Sequence, residues 1–347
     1  MKLEGVQAGR AIAALMVVAF HANVFIIPDR LSDGEHAGVL FNFGYAGVEF
    51  FFVLSGFIMV FVHQKDFSVP DQVGSFMSKR VLRIYPIYWV IYLSLTALYF
   101  IEPGRGPEHA RDLDAIIGSL LLVPMPEPPV MLIAWTLQHE MFFYLVFTLL
   151  VIDVRLGTAV FAVWMTGCVV ASLWWQPGYP WSFILSFHNV LFLFGIAAAF
   201  LYRRLTAAQA QGLVFGGAAV FLCVGLSEVL GVLDWDKALR TWCYGIAAAA
   251  VVAGLAAGVL SPPRWLVFLG DASYAIYLVH LPAMTIGVMI AGKLGAPWSL
   301  PPEVLMLLLL VYAAIAGSLT HLLVERPLAA LLQPRRHASV PRPGRPA

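Results

Sequence analysis

The chain has 347 residues, a formal net charge of +1, and is 61% hydrophobic with only 12% charged residues. Ordinary soluble domains carry about a quarter charged residues, so this composition excludes a soluble globular protein. The near-zero charge provides no basic field for nucleic acid, and Cys168, Cys223 and Cys243 lie in apolar runs without disulfide or metal-ligand spacing.

The first apolar stretch, residues 10–27, contains Arg10 and His21. It reads as a membrane helix and not as a cleavable signal, because it carries internal charge, lacks a small-residue cleavage site and is followed by further spans. Ionisable groups inside a span are costly and functional by default. Arg10 and His21 are separated by roughly 16 Å along a helix axis. With Arg10 at one membrane face, His21 lies past the middle of a hydrocarbon core about 30 Å thick.

The second stretch, 46–62, carries Glu49 near its outer start, and Gly44, Gly47, Ser55 and Gly56 are small residues that allow close helix approach. The third, 84–101, follows Arg80 and Arg83, one turn apart on one face. Two guanidiniums so placed can grip phosphate groups. Alone they read as positive-inside anchors beside the aromatic belt of Tyr85, Tyr88 and Trp89. Together with Arg10 they form a candidate cytosolic anion site. The stretch 115–123, before Pro124–Pro129, is too short to span and reads as re-entrant or interfacial.

The fourth stretch, 132–152, holds His139 and Glu140, which point about 100° apart on a helix. Further spans are predicted at 156–174, 182–201, 212–230, 241–260, 268–290 and 303–324. The ninth opens with Gly270, Asp271 and Ser273, of which Asp271 or Ser273 reads as the cap. Tyr274 and Tyr277 follow on one face, and His280 lies near its middle. Glu325 closes the last span and either pairs with Arg10 or Arg83 or ends the helix.

The predicted fold is all-α, a polytopic membrane protein with about ten transmembrane helices. Lys and Arg divide 15 against 6 between alternate loops, which predicts both termini in the cytosol. Residues 1–333 form the transmembrane domain, and 334–347 a Pro/Arg-rich cytosolic tail that reads as disordered.

His21, Glu49, Glu140 and His280 fall at similar depth. A histidine beside a carboxylate suits general-base work, because the carboxylate sets the tautomer and stabilises the imidazolium. His21 with Glu140 is the candidate catalytic pair. The competing reading, buried polar groups that pair to hold helices together, is preferred for His139, His188, His280 and His321. A proton-coupled transporter or flippase also fits ten helices with buried His and Glu, but no internal repeat is visible. A binding or scaffold protein leaves the buried ionisable residues unexplained.

These motifs together resemble the integral-membrane acyltransferase family 3, whose bacterial members O-acylate cell-surface sugars. The resemblance covers roughly residues 5 to 328. It rests on Arg10-x10-His21, the run from Gly44 to Phe57, Arg80/Arg83-Ile-Tyr-Pro, Trp135-Thr-Leu-x-x-Glu140, Ser273-Tyr-x-Ile-Tyr-Leu-x-His280 and Glu325-Arg-Pro. One departure is Gly9, where a leucine is usual. The resemblance is greatest to exopolysaccharide acetyltransferases.

The resemblance implies acetyl-CoA, or another acyl-CoA, as cytosolic co-substrate and no permanently bound cofactor. It implies an essential His21 supported by Arg10, a glycan acceptor, membrane lipids as partners, no nucleic acid, and the bacterial inner membrane as location. Arg10, Arg80 and Arg83 are then the donor-binding residues, with Glu49, Ser55, Tyr277, His280 and Glu325 in support. His21 acts either as base on the acceptor hydroxyl or as the acyl carrier. The acceptor side falls to loops 28–43, 102–131, 175–181, 231–240 and 291–302. Their tryptophans (Trp174, Trp175, Trp181, Trp235, Trp298) read first as interfacial anchors. The sugar, the acyl group and the oligomeric state stay open.

Overall fold

The computed structural model describes residues 3–32, 34–102, 104, 106–293 and 300–332. Among the described residues, ten helices are long and apolar enough to cross a membrane. They are α1 (Glu4–Arg30), α2 (Val39–Asp66), α3 (Pro70–Ile101), α4 (Leu132–Ile152), α5 (Val154–Trp175), α6 (Trp181–Arg204), α7 (Ala207–Val229), α8 (Lys237–Ala256), α9 (Ser273–Lys293) and α10 (Pro302–Leu332). The described residues contain no strand. With no water to satisfy backbone groups in the bilayer, a continuous helix is the economical solution for each apolar run. The predicted tail at 334–347 lies outside the described residues.

Two boundaries differ from expectation. α3 begins well before residue 84, because the polar segment at its start continues the helix outside the apolar window. The predicted ninth span divides into a short helix, Arg264–Asp271, and α9 proper. The stretch around 115–123 forms the short helix Leu113–Leu120, as its length requires.

Three wide, π-helical turns interrupt the helices, at Ala22–Ile26, Ala171–Trp175 and His321–Glu325. After each, the next residue (Ile27, Gln176 or Arg326) donates to the carbonyl five positions back. The residue after that is a proline: Pro28, Pro177 or Pro327. Proline has no N–H to donate, so the ladder widens just where its next bond is already missing. Such bulges gather at functional sites, and two of these three begin beside or at a histidine, His21 and His321.

α2 is the most enclosed span, with 67% of its apolar window inside the protein against 22% for α7 and for α10. It packs against α1, α6 and α8, while α9 packs against α1 and α10, and α4 against α3 and α5. The α2–α6 crossing is closed by two reciprocal glycines. A Cβ at Gly56 would strike the Phe192 carbonyl, and one at Gly195 the Val53 carbonyl. Small residues allow such close contact in membranes.

Gly195→Leu is therefore expected to force α2 and α6 apart, with an overpacking cost of roughly 1–3 kcal/mol. The detergent-solubilised variant should melt several degrees below wild type. Gly216→Leu, on a face with no neighbouring atom within 4 Å, should leave the melt unchanged. Equal melts for both variants would remove this account of the crossing.

Candidate active site

A cleft with about 780 Å³ of empty space, part of it open to solvent, lies between α1, α2, α3, α4 and α9. Its wall carries Arg10, Arg80, Arg83 and Glu140, with Ser55 and Tyr277. Arg10, Arg80 and Arg83 come from the N-terminal parts of α1 and α3, and Ser273 is the first residue of α9. The cavity thus lies toward the membrane side on which α1 begins.

Arg10, Arg80 and Glu140 are held by hydrogen bonds. Arg10 is 8% exposed and its Nε donates to Ser273 Oγ at 3.2 Å. Ser273, predicted to cap a helix, instead ties α9 to α1. Arg80 Nη2 donates to His63 Nε2 at 3.1 Å, and His63 Nδ1 faces Asp66 Oδ2 at 2.7 Å. Arginine only donates, so His63 is bare at Nε2 and gives its Nδ1 proton to Asp66. The Arg80 guanidinium also lies 5.9 Å from the Phe76 ring and 5.8 Å from the Tyr144 ring. Its buried Nε has no hydrogen-bond partner among the described residues. A buried N–H left open is costly, and an anionic oxygen in the cavity would satisfy it.

Glu140 Oε1 accepts from Ser55 Oγ at 2.9 Å and from the Tyr144 hydroxyl. It lies within electrostatic reach of Arg10. Three guanidiniums against one carboxylate leave this cavity cationic.

A second cavity, of about 1490 Å³, opens on the opposite side. It is framed by the far end of α1 (Phe25, Arg30), the end of α3 (Tyr99), the proline-rich loop at Pro128 and Pro129, and α9 from Leu281 onward. Between the two cavities lies a seam about one helical turn thick. Tyr277 faces the first cavity, and Ile133 and Leu281 face the second. Across the seam the Tyr277 and Thr136 hydroxyls lie 2.9 Å apart and within 3.1 and 3.0 Å of the Ile133 carbonyl, so one hydroxyl donates to that carbonyl and the other donates to its neighbour.

His21 is linked to this seam through His280, whose ring lies 5.9 Å from that of Tyr277, and the structure replaces its expected partner. Glu140 is engaged with Ser55 and Tyr144, whereas His21 meets His280, with 3.2 Å from His280 Nε2 to His21 Nδ1. The imidazole rings are 4.9 Å apart, and Phe25, which lines the far cavity, stacks on His21 at 5.7 Å. Depth along a helix depends on the rise per residue, but the direction a residue faces depends on packing. Glu140 turns toward α2, away from His21.

Glu49 is 3% exposed, lies apart from both cavities, and its Oε2 has no hydrogen-bond partner among the described residues. Glu325 bonds His321, at 2.6 Å, and not an arginine across the bundle. His139 bonds Asn189 at 2.9 Å, and His188 faces Ser186 at 3.3 Å. Sequence reasoning missed one cluster altogether. Glu228 accepts from Tyr45 at 2.7 Å, from Tyr244 at 2.9 Å and from Arg240 at 2.7 Å, which locks α7, α8 and the start of α2 together. A carboxylate at the end of an apolar run was the available signal. Trp174, Trp175 and Trp181 are exposed, Trp235 donates to Ser227, and Trp298 lies outside the described residues.

A family model described as an acyltransferase domain matches residues 3–321. The exopolysaccharide production protein ExoZ of Rhizobium meliloti (strain 1021) is 28% identical over 312 aligned positions, covering 85% of this chain and 92% of that protein. The acyltransferase MdmB of Streptomyces mycarofaciens is 27% identical over 376 positions, covering 97% and 94%. A putative acetyltransferase of the Acidianus two-tailed virus is 26% identical over 258 positions, covering 70% and 74%. No solved structure matches the chain.

Proposed function

Since this chain belongs to the acyltransferase domain family and is a multi-pass membrane O-acyltransferase, we propose that it moves an acyl group, acetyl in the first instance, from cytosolic acyl-CoA to a sugar hydroxyl of a surface glycan. The carrying observation is the pair of cavities that approach one seam from opposite faces, one lined by three guanidiniums and the other by Phe25, which stacks on His21. A transporter needs one substrate to pass through. A transferase needs two substrates to meet, and the charge asymmetry of the cavities suits two different molecules.

In this reading both termini are cytosolic and the membrane is the bacterial inner membrane. Arg10, Arg80 and Arg83 grip the phosphates of the donor, with Arg80 Nε supplying the open buried donor. Glu140, Ser55 and Tyr144 hold the wall near Arg10. The thioester reaches the seam past Tyr277, and the acceptor hydroxyl enters through the far cavity. His21 takes the hydroxyl proton as the oxygen attacks the thioester carbonyl. The C–S bond then breaks and the thiolate leaves with that proton. ExoZ carries exopolysaccharide production in its name, which supports a glycan acceptor here.

Inverted membrane vesicles from the source cells, which retain the natural acceptor, test the proposal with radiolabelled acetyl-CoA. Base-labile label should accumulate in a glycan fraction, one CoA thiol being released per label. Neither label nor thiol release, with uptake of a glycan precursor instead, would favour transport. Label trapped on His21 with donor alone would replace direct transfer by an acyl-enzyme.

A further inference from the structure

We infer that His280 is the positioning partner of His21, a neutral imidazole in the place where a carboxylate usually orients a catalytic histidine. The inference rests on the acyl-transfer reading and assigns His280 its part in that reaction.

His21 Nδ1 lies 2.9 Å from the Val17 carbonyl, and His280 Nδ1 lies 2.6 Å from the Tyr277 carbonyl. Carbonyl oxygens only accept, so both Nδ1 atoms carry hydrogen. His280 Nε2, 3.2 Å from His21 Nδ1, must then be the bare nitrogen, and it shares the single His21 Nδ1 hydrogen with the Val17 carbonyl in a three-centre bond. A proton on His280 Nε2 would face the one on His21 Nδ1. The two contacts therefore fix one tautomer for each ring and leave the lone pair of His21 on Nε2. The other hydrogen bond of each ring goes to its own helix, at i−4 for His21 and i−3 for His280, so neither ring can turn without losing a bond.

The surroundings explain why a neutral partner suits the place. His280 is fully buried, and His21 is flanked by Phe20 at 5.2 Å and Phe25 at 5.7 Å. A resting carboxylate here would have to be buried as a charge, which is expensive without a paired cation. The histidine pair rests uncharged. When His21 Nε2 accepts the proton of the acceptor hydroxyl, the pair carries a single positive charge. The His21 Nδ1–H to His280 Nε2 bond then becomes charge-assisted and stronger. The stabilisation appears only once the proton has moved, so it lowers the barrier and not the resting energy. The proton leaves with the CoA thiolate, and the pair returns to its starting tautomers. His280 touches no reacting atom in this scheme and acts through His21.

Vesicles of a strain lacking the endogenous gene, carrying each variant and supplied with radiolabelled acetyl-CoA, read the prediction. His280→Leu, which removes the acceptor, should lower the maximal rate by on the order of 10²-fold, in line with the loss of an orienting group. The KM for acetyl-CoA should stay within about twofold, since the arginines are untouched. His280→Gln keeps an oxygen to accept from His21 and an N–H for the Tyr277 carbonyl, and should restore at least about tenfold of that loss. His280→Phe, which keeps a ring and its packing, repeats the measurement where the leucine variant does not fold. A folded leucine or phenylalanine variant within tenfold of wild type overturns the assignment, as does a glutamine variant no better than these. No label with wild type overturns the acyl-transfer reading itself, and full label with His21→Ala overturns the roles given to both His21 and His280. Label that depends on His21 but not on His280 overturns only the role given to His280.

Discussion

Replacing His21 by alanine is expected to lower acyl transfer by about 10²–10⁴-fold, the usual range for losing a general base, with donor binding preserved. The separation follows from geometry. The charged groups that line the cavity proposed for the donor are Arg10, Arg80, Arg83 and Glu140, and none of their described hydrogen bonds involves His21. The bonds His21 makes go to Val17 and His280. Acetyl-CoA affinity, read by calorimetry on the detergent-solubilised protein, should therefore stay within about twofold while the rate collapses. A His21→Ala protein that keeps more than a tenth of the rate would remove His21 from the chemistry. One that loses donor affinity in parallel would make it part of the donor site.

The second large effect belongs to Arg80. Its Nη2 is committed to His63, itself anchored by Asp66, and its planar face lies against Phe76 and Tyr144. That leaves Nε buried without a partner, the donor we propose a ligand oxygen satisfies when it binds. Arg80→Ala should raise the KM for acetyl-CoA by about 10–100-fold, equivalent to the roughly 1.5–3 kcal/mol of a hydrogen bond to a charged group. Arg80→Lys should recover less than half of this on a logarithmic scale. An ammonium is a point charge without the fork needed to hold His63 and a ligand oxygen together. His63→Leu should reproduce a smaller part of the same KM increase, by freeing Arg80 to turn. An unchanged KM in Arg80→Ala would place the donor phosphates elsewhere.

How much of this was legible in advance depends on which coordinate is asked for. The ten spans follow from runs of apolar residues, because length and hydropathy alone decide whether a helix can cross. Depth was legible too. Arg10 and His21 are in one helix, and the rise per residue separates them by roughly 16 Å whatever surrounds them. Arg10, Arg80 and Arg83 were grouped from depth and charge, and they do line one cavity.

The azimuth of each residue was not legible. His21 and Glu140 share a depth, yet Glu140 faces Ser55 and Tyr144, and the partner of His21 comes from a position 259 residues later. Ser273 looked like a cap and became the tie to Arg10. The Glu228 cluster gathers residues from three distant helices, and no local pattern announces it.

The sequence by itself therefore determined the all-helical membrane class, the number of spans, the family resemblance and the order of polar groups along each span. These properties depend on composition, periodicity and rise within one segment. Only the tertiary structure decided that two cavities meet at a seam of Thr136 and Tyr277, and that His21 leans on a neutral histidine where a carboxylate was expected. The physical reason is that a helix rotates about 100° per residue. Which face meets which neighbour is set by close contacts such as Gly56 on Phe192 and Gly195 on Val53, and these exist only once the helices have packed.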